Sequence, residues 1–237
     1  MFKYTIYLTI VLLLSLIVCC CYGSLSSSII YNNIQPIVES TTSQCQNCLV
    51  QSNSASSQIK QLLQSFTFSS CSSLCSEITI TNQDICLIVC NAFGITTYTS
   101  NFLKEDDVIY FCQVAQQCPT NNAPNAYVQQ VVSTPKYATR GQKVEVDATI
   151  YVQDALGIGQ VLFNVTDSNS NSIFTSAYVL TNYASYSQVT LGIPVDTTSL
   201  KSGTSYETTV TVCSGTCDSI YPGSKWLGSS NGYFYLE

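Results

Sequence analysis

Two hydrophobic spacings divide the chain. Cys45, Cys48, Leu49, Ser52, Ala55, Ile59, Leu62, Leu63 and Phe66 recur at helical intervals, with Gln and Ser filling the opposite face, which predicts an amphipathic helix. Further helices are predicted over residues 70–78, over 83–92 with a continuation beyond Gly94, and over 106–116. Asp106 and Asp107 open the last of these on the side its dipole favours, and Pro119 closes it.

Residues 119–125 are rich in Asn, Pro and Thr and carry no apolar period. Past them the pattern alternates: Val144, Val146, Ala148, Ile150 and Val152 point one way, while Glu145, Asp147, Thr149, Tyr151 and Gln153 point the other. Similar runs occupy residues 160–166, 173–180, 186–193 and 206–212, separated by turn material at 167–172 and 201–203. Short strands in this number predict an antiparallel β-sandwich. Leu200 to Tyr206, followed by Thr209, Val210 and Val212, looks like the tyrosine corner of immunoglobulin-like and fibronectin-like sandwiches. The expected fold class is therefore α + β in separate domains, with helices at residues 45–118, a linker at 119–126 and a sandwich at 127–237.

The N-terminus has a third grammar. Lys3 precedes an apolar run over residues 4–21, and Gly23 and a serine-rich stretch follow, which reads as a secretory signal peptide over residues 1–23 and a polar linker over 24–44. Removing that leader takes Cys19, Cys20 and Cys21 with it and leaves ten of the thirteen cysteines, an even number suited to full pairing in an oxidising compartment. Seven Lys and Arg then face fourteen acids, a formal charge of −7, which does not favour nucleic acid or anionic membranes. The expected location is extracellular.

Eight cysteines in the helical part allow 105 pairings, and helix geometry narrows them. Cys71 and Cys75 are four residues apart, as are Cys86 and Cys90, so each pair lies on one helical face. An antiparallel hairpin of the two short helices sets Cys75 against Cys86 and Cys71 against Cys90. The same logic sets Cys48 against Cys112 and Cys45 against Cys118, in a concentric pattern. Cys213 and Cys217 flank Ser-Gly-Thr and suit a local bridge closing a tight turn.

Cys45-Gln-Asn-Cys48, then Cys75, Cys86, Cys112 and Cys118, with Gly94 and the acidic Glu105-Asp106-Asp107 between, resemble the six-cysteine pattern of saposin-like (saposin B-type) domains over roughly a third of the chain. Cys71 and Cys90 depart from that pattern as an extra pair. Placing Cys71 at the family position in place of Cys75 would leave two free thiols. A secreted chain with this helical module and a polar β tail also resembles the countin family of social amoebae. That resemblance implies an extracellular signalling or adhesion-modulating factor that limits the size of multicellular groups, working with protein partners in a complex.

The saposin-like resemblance implies apolar inner faces that either pack together or open to receive lipid. The residues concerned are Leu49, Ile59, Leu62, Phe66, Ile85, Val89, Phe93, Ile109 and Phe111, and lipid binding or transfer is the alternative function. Core packing accounts for the same positions. Residues 45–118 hold two lysines against five acids, a balance that disfavours attack on anionic membranes.

The chain has no histidine, which removes His-activated nucleophiles and imidazole ligands. Asp106 and Asp107 are adjacent on a helix and diverge, so helix capping suits them better than flanking a scissile bond. Cys45-x-x-Cys48 has partners waiting at 112 and 118, which favours structural bridges over a redox or zinc site. No enzyme activity, cofactor or metal is expected. Asn164-Val165-Thr166 is the one N-glycosylation sequon, and it falls in a strand-like run where Asn164 must face solvent to carry a glycan.

Overall fold

The computed structural model describes residues 43–79 and 83–237. The signal peptide expected at residues 1–23 and nearly all of the linker expected at 24–44 lie outside the described residues. Among the described residues the helices are α1 (Ser43–Ser65), α2 (Cys71–Cys75), α3 (Gln83–Phe93), α4 (Ile95–Lys104) and α5 (Val108–Val114). Eight strands follow: β1 (Asn125–Thr134), β2 (Tyr137–Ala138), β3 (Val144–Asp154), β4 (Leu156–Thr166), β5 (Ser172–Tyr183), β6 (Ser187–Val195), β7 (Thr204–Ser214) and β8 (Lys225–Leu236).

Local chemistry sets the helix ends. Ser70 and Ser73 exchange hydrogen bonds in a capping box that starts α2. Gly94, at φ 75°, lets the chain turn by 100° between α3 and α4 in a conformation that costs other residues strain. Asp107 caps α5, its Oδ1 accepting from the Tyr110 amide at 3.0 Å.

The strands form a three-stranded sheet in the order β1-β3-β6 and a five-stranded sheet in the order β2-β8-β7-β4-β5. Their inner faces meet through Val144, Val146, Ala148, Ile150 and Val152 of β3, Leu191 and Ile193 of β6, and Val161, Phe163, Val165, Val210, Val212 and Phe234 of the larger sheet, all buried. The Tyr206 hydroxyl accepts from the Lys201 amide at 2.8 Å and donates to the Lys201 carbonyl at 3.0 Å, closing a tyrosine corner. The two sheets also approach along their margins. A Cβ on Gly232 of β8 would come within 2.6 Å of Val131 Cγ1 in β1, so only glycine admits that approach. On the other side Tyr178 of β5 donates its hydroxyl to the Gly192 carbonyl of β6 at 2.6 Å.

The expected fold class needs correction. β-Strand dominates, at 41% of the described residues, and the helices are not a separate domain. Helices and strands belong to one compact unit, and Ile158 of β4 and Val179 of β5 are part of the same buried cluster as the helical Leu74, Phe102 and Phe111. The helices thus form a layer on the outer face of the five-stranded sheet, and among the described residues no free-standing saposin-like module is present. The physical reason is that their apolar face does not close on itself: it continues onto a sheet that lies far away in sequence.

Candidate functional site

Among the described residues five disulfides join Cys45 to Cys118, Cys48 to Cys112, Cys71 to Cys90, Cys75 to Cys86 and Cys213 to Cys217. The first two tie α1 to the chain at and after α5, and the next two tie α2 to α3. Leu49, Ile59, Ile85, Val89, Ile109 and Phe111 are buried in the helical cluster, and Leu62 and Phe93 pack partly buried against it. Phe66 stands apart, 62% exposed at the end of α1 and edge-on to Phe68. Aromatic rings fill the middle of the layer: Phe102 stacks on Phe111 at 5.3 Å, and Phe93 meets Phe111 edge-on at 5.5 Å. These apolar faces are occupied by one another and by Ile158 and Val179 of the sheet.

The residues that join helices to sandwich converge from distant parts of the sequence. Thr216 donates to Asp107 Oδ1 at 2.6 Å, and the Ile220 amide donates to Glu105 Oε2 at 3.0 Å. Tyr221 lies flat on Tyr110, with centroids 4.3 Å apart and planes at 6°, and its hydroxyl donates to the Asn101 carbonyl at 2.5 Å. Burial, with the nearby Glu105, Tyr110 and Asp107, pushes the Tyr221 pKa up to about 12. All the sandwich-side groups come from the β7–β8 loop, whose base is the Cys213–Cys217 bridge; Gln160 Oε1 accepts the Cys217 amide at 2.9 Å. Two clefts of mixed polar and apolar lining open where helical and sandwich residues meet. The larger, about 440 Å³, is lined by Tyr110, Gln113, Asn121, Asn122, Ser214 and Pro222 among others, and a second, of about 290 Å³, lies beside Gln44, Gln117, Pro119 and Thr181. No cluster of three or more metal-binding side chains is found among the described residues.

Below the helical layer the outer face of the larger sheet is open. One cross-strand row holds Tyr233, Glu207, Thr166 and Ser172, and the next holds Asn231, Thr209, Asn164 and Thr175. Glu207 Oε1 accepts from Asn231 Nδ2 at 2.5 Å and from the Tyr233 hydroxyl at 2.8 Å, and that bond to Glu207 holds the Tyr233 pKa above its ordinary value. Asn164 is half-buried on β4, its Oδ1 accepting from Ser172 Oγ at 2.6 Å and Thr175 Oγ1 at 3.3 Å.

The structure thus gathers the helical cysteines and most of the candidate lipid-facing residues into one core, and sets Asn164 on a distant surface. Tyr110, Thr216 and Tyr221 are not singled out from sequence, and Glu105 only as part of an acidic run, because their pairings span more than a hundred residues. β8 was missed although Tyr233 to Leu236 alternate in the manner of a strand.

Two family models match the chain: the countin N-terminal domain over residues 36–116 and the countin C-terminal domain over residues 126–237. A countin-like protein of Dictyostelium discoideum is 28% identical over 174 residues, which are 71% of this chain and 48% of that protein. The chain spans about half the length of that curated relative. Among solved structures, the C-terminal domain of wzt is similar at 8% identity and TM-score 0.38, over 55% of this chain and 85% of that one. A Paenibacillus sp. cycloisomaltooligosaccharide glucanotransferase gives 12% and 0.36, over 48% and 14%. At scores this low neither likeness carries an argument.

Proposed function

The chain belongs to the countin family, and on that premise we propose that it acts outside the cell as a signalling or adhesion-modulating factor that limits the size of multicellular groups. The observation that carries this reading is the match of both countin domains, in order, to residues 36–116 and 126–237. Five disulfides suit an oxidising compartment. The role is non-enzymatic and rests on contact with extracellular protein partners. The lack of histidine supports that reading, as does the use of Asp107 and Glu105 as acceptors for capping and seam hydrogen bonds. Lipid carriage has less support, since the side chains that would meet lipid already fill one another's space.

The test is loss and restoration. Cells of the source organism that lack the protein form larger groups, and the purified secreted protein returns group size toward normal in a dose-dependent way. Unchanged group size in both arms would sink the proposal. Native mass spectrometry of the same preparation should show no retained lipid.

A further inference from the structure

The sequon falls at the centre of an open sheet face, and we propose that Asn164 carries an N-linked glycan whose first sugars lie across that face, over Glu207 and Tyr233. The inference shares with the proposed function only the premise of passage through the secretory pathway.

The sequon has two possible orientations on a strand, and only one is compatible with a glycan. Val165 points into the sandwich and is fully buried, so Asn164 and Thr166 both point outward. The amide is also oriented. Ser172 and Thr175, both on β5, hold Oδ1, which sets Nδ2 on the opposite side of the planar amide, toward β7. The covalent step joins Nδ2 to the anomeric carbon of a diphosphate-activated oligosaccharide donor; an Nδ2 proton is given up to the transferase and the diphosphate departs. It occurs on the extended chain, and the fold must then accommodate the product.

The surface beside Nδ2 suits a neutral, hydroxyl-rich occupant. The two rows containing Asn164 and Thr166 offer the hydroxyls of Thr166, Thr175 and Thr209 and the amide of Asn231, and no lysine or arginine stands among them. Glu207 is the one carboxylate in these rows, already oriented by its two donors and able to accept from a sugar hydroxyl. Tyr233, 51% exposed, provides an amphipathic ring at the far end of its row. A glycan attached within a strand in this way begins on a broad surface, whereas one on a loop tip begins in solvent.

The experiment uses the full chain secreted from a eukaryotic host behind that host's own leader, so that its outcome does not depend on the native leader or on any effect on groups. Intact mass before and after N-glycosidase should differ by one glycan, and Thr166→Ala, which keeps Asn164 and its two β5 partners, should abolish the difference. Tyrosine nitration read by peptide mass spectrometry should find Tyr233 several-fold less reactive in the glycosylated protein than in the enzymatically deglycosylated one, with Tyr186 unchanged. The enzymatic comparison still stands if Thr166→Ala fails to fold. An unmodified Asn164 overturns the proposal, and so does a glycan that leaves Tyr233 equally reactive. A glycan-free protein that runs as a dimer with Tyr233 protected would give the face to a second copy and overturn it as well.

Discussion

The helical layer and the sandwich are held by different means. Four of the five disulfides lie between Cys45 and Cys118, where every helix except α1 has eleven residues or fewer. Helices shorter than about 12–15 residues are marginal in water, so cross-links and packing must supply what hydrogen bonding along the helix does not. The sandwich has one disulfide, placed in the loop that grips the helices, and relies on continuous ladders and a fully enclosed apolar interior. Covalent stapling is thus concentrated where the elements are too short to persist alone. Because Ile158 and Val179 belong to the helical core, the two regions are unequal partners: the helices need the sheet, and the sheet's own core lies on its other face.

The severest challenge to that asymmetry is Phe163→Ala, which empties a site at 0% exposure between the sheets. A loss of about 3–5 kcal/mol is expected, and strand and helix signals in circular dichroism should fall together in urea. Helices that outlast the sheet would contradict the dependence. Removing Cys48 and Cys112 together opens a crosslink spanning 64 residues and should cost the helical layer about 2–5 kcal/mol, with the sandwich transition moving much less. Thr216→Val takes one donor from the buried Asp107 carboxylate. That should cost about 1.5–3 kcal/mol, read as early exposure of α4 and α5 in hydrogen exchange.

The smallest effect is alkaline. The folded chain holds the Tyr221 proton up to about 12, whereas an unfolded tyrosine titrates near 10, so the stability present below pH 10 fades as pH rises toward 12. Burial of Tyr98 pushes its pKa up as well and acts in the same direction. Melting temperature against pH should therefore decline over this window, and Tyr221→Phe should flatten part of the decline.

Local pattern made much of this legible. The 3.6-residue spacing places α1 and α3, Gly94 marks the break before α4, and strict alternation places β3 and the central strands. Alternation also puts Asn164 and Val165 on opposite faces, though not which neighbours surround Asn164. What sequence did not yield depends on contacts between distant segments. The burial of Ile158 and Val179 under helices, the stacking of Tyr110 on Tyr221, and the company of Glu207 with Tyr233 each require knowing the strand order. β1 and β8 were missed for a related reason: small and polar residues such as Gln129, Gln130, Gly228, Ser229 and Gly232 interrupt their apolar alternation where the strands crowd one another.

The approach of the sheets along both margins bears on how copies of the chain coexist in solution. Exposed strand edges invite pairing between molecules, and proteins commonly discourage it with lysine or other charge on the edge. This chain has only 9% charged residues to spend. Among the described residues the edge strands are β1 and β6 in one sheet and β2 and β5 in the other. β2 is two residues long, β1 lies close against β8, and the Tyr178 hydroxyl ties β5 to β6. Geometry thereby does at these edges the work that repulsion does elsewhere, on a surface that has few charges to place there.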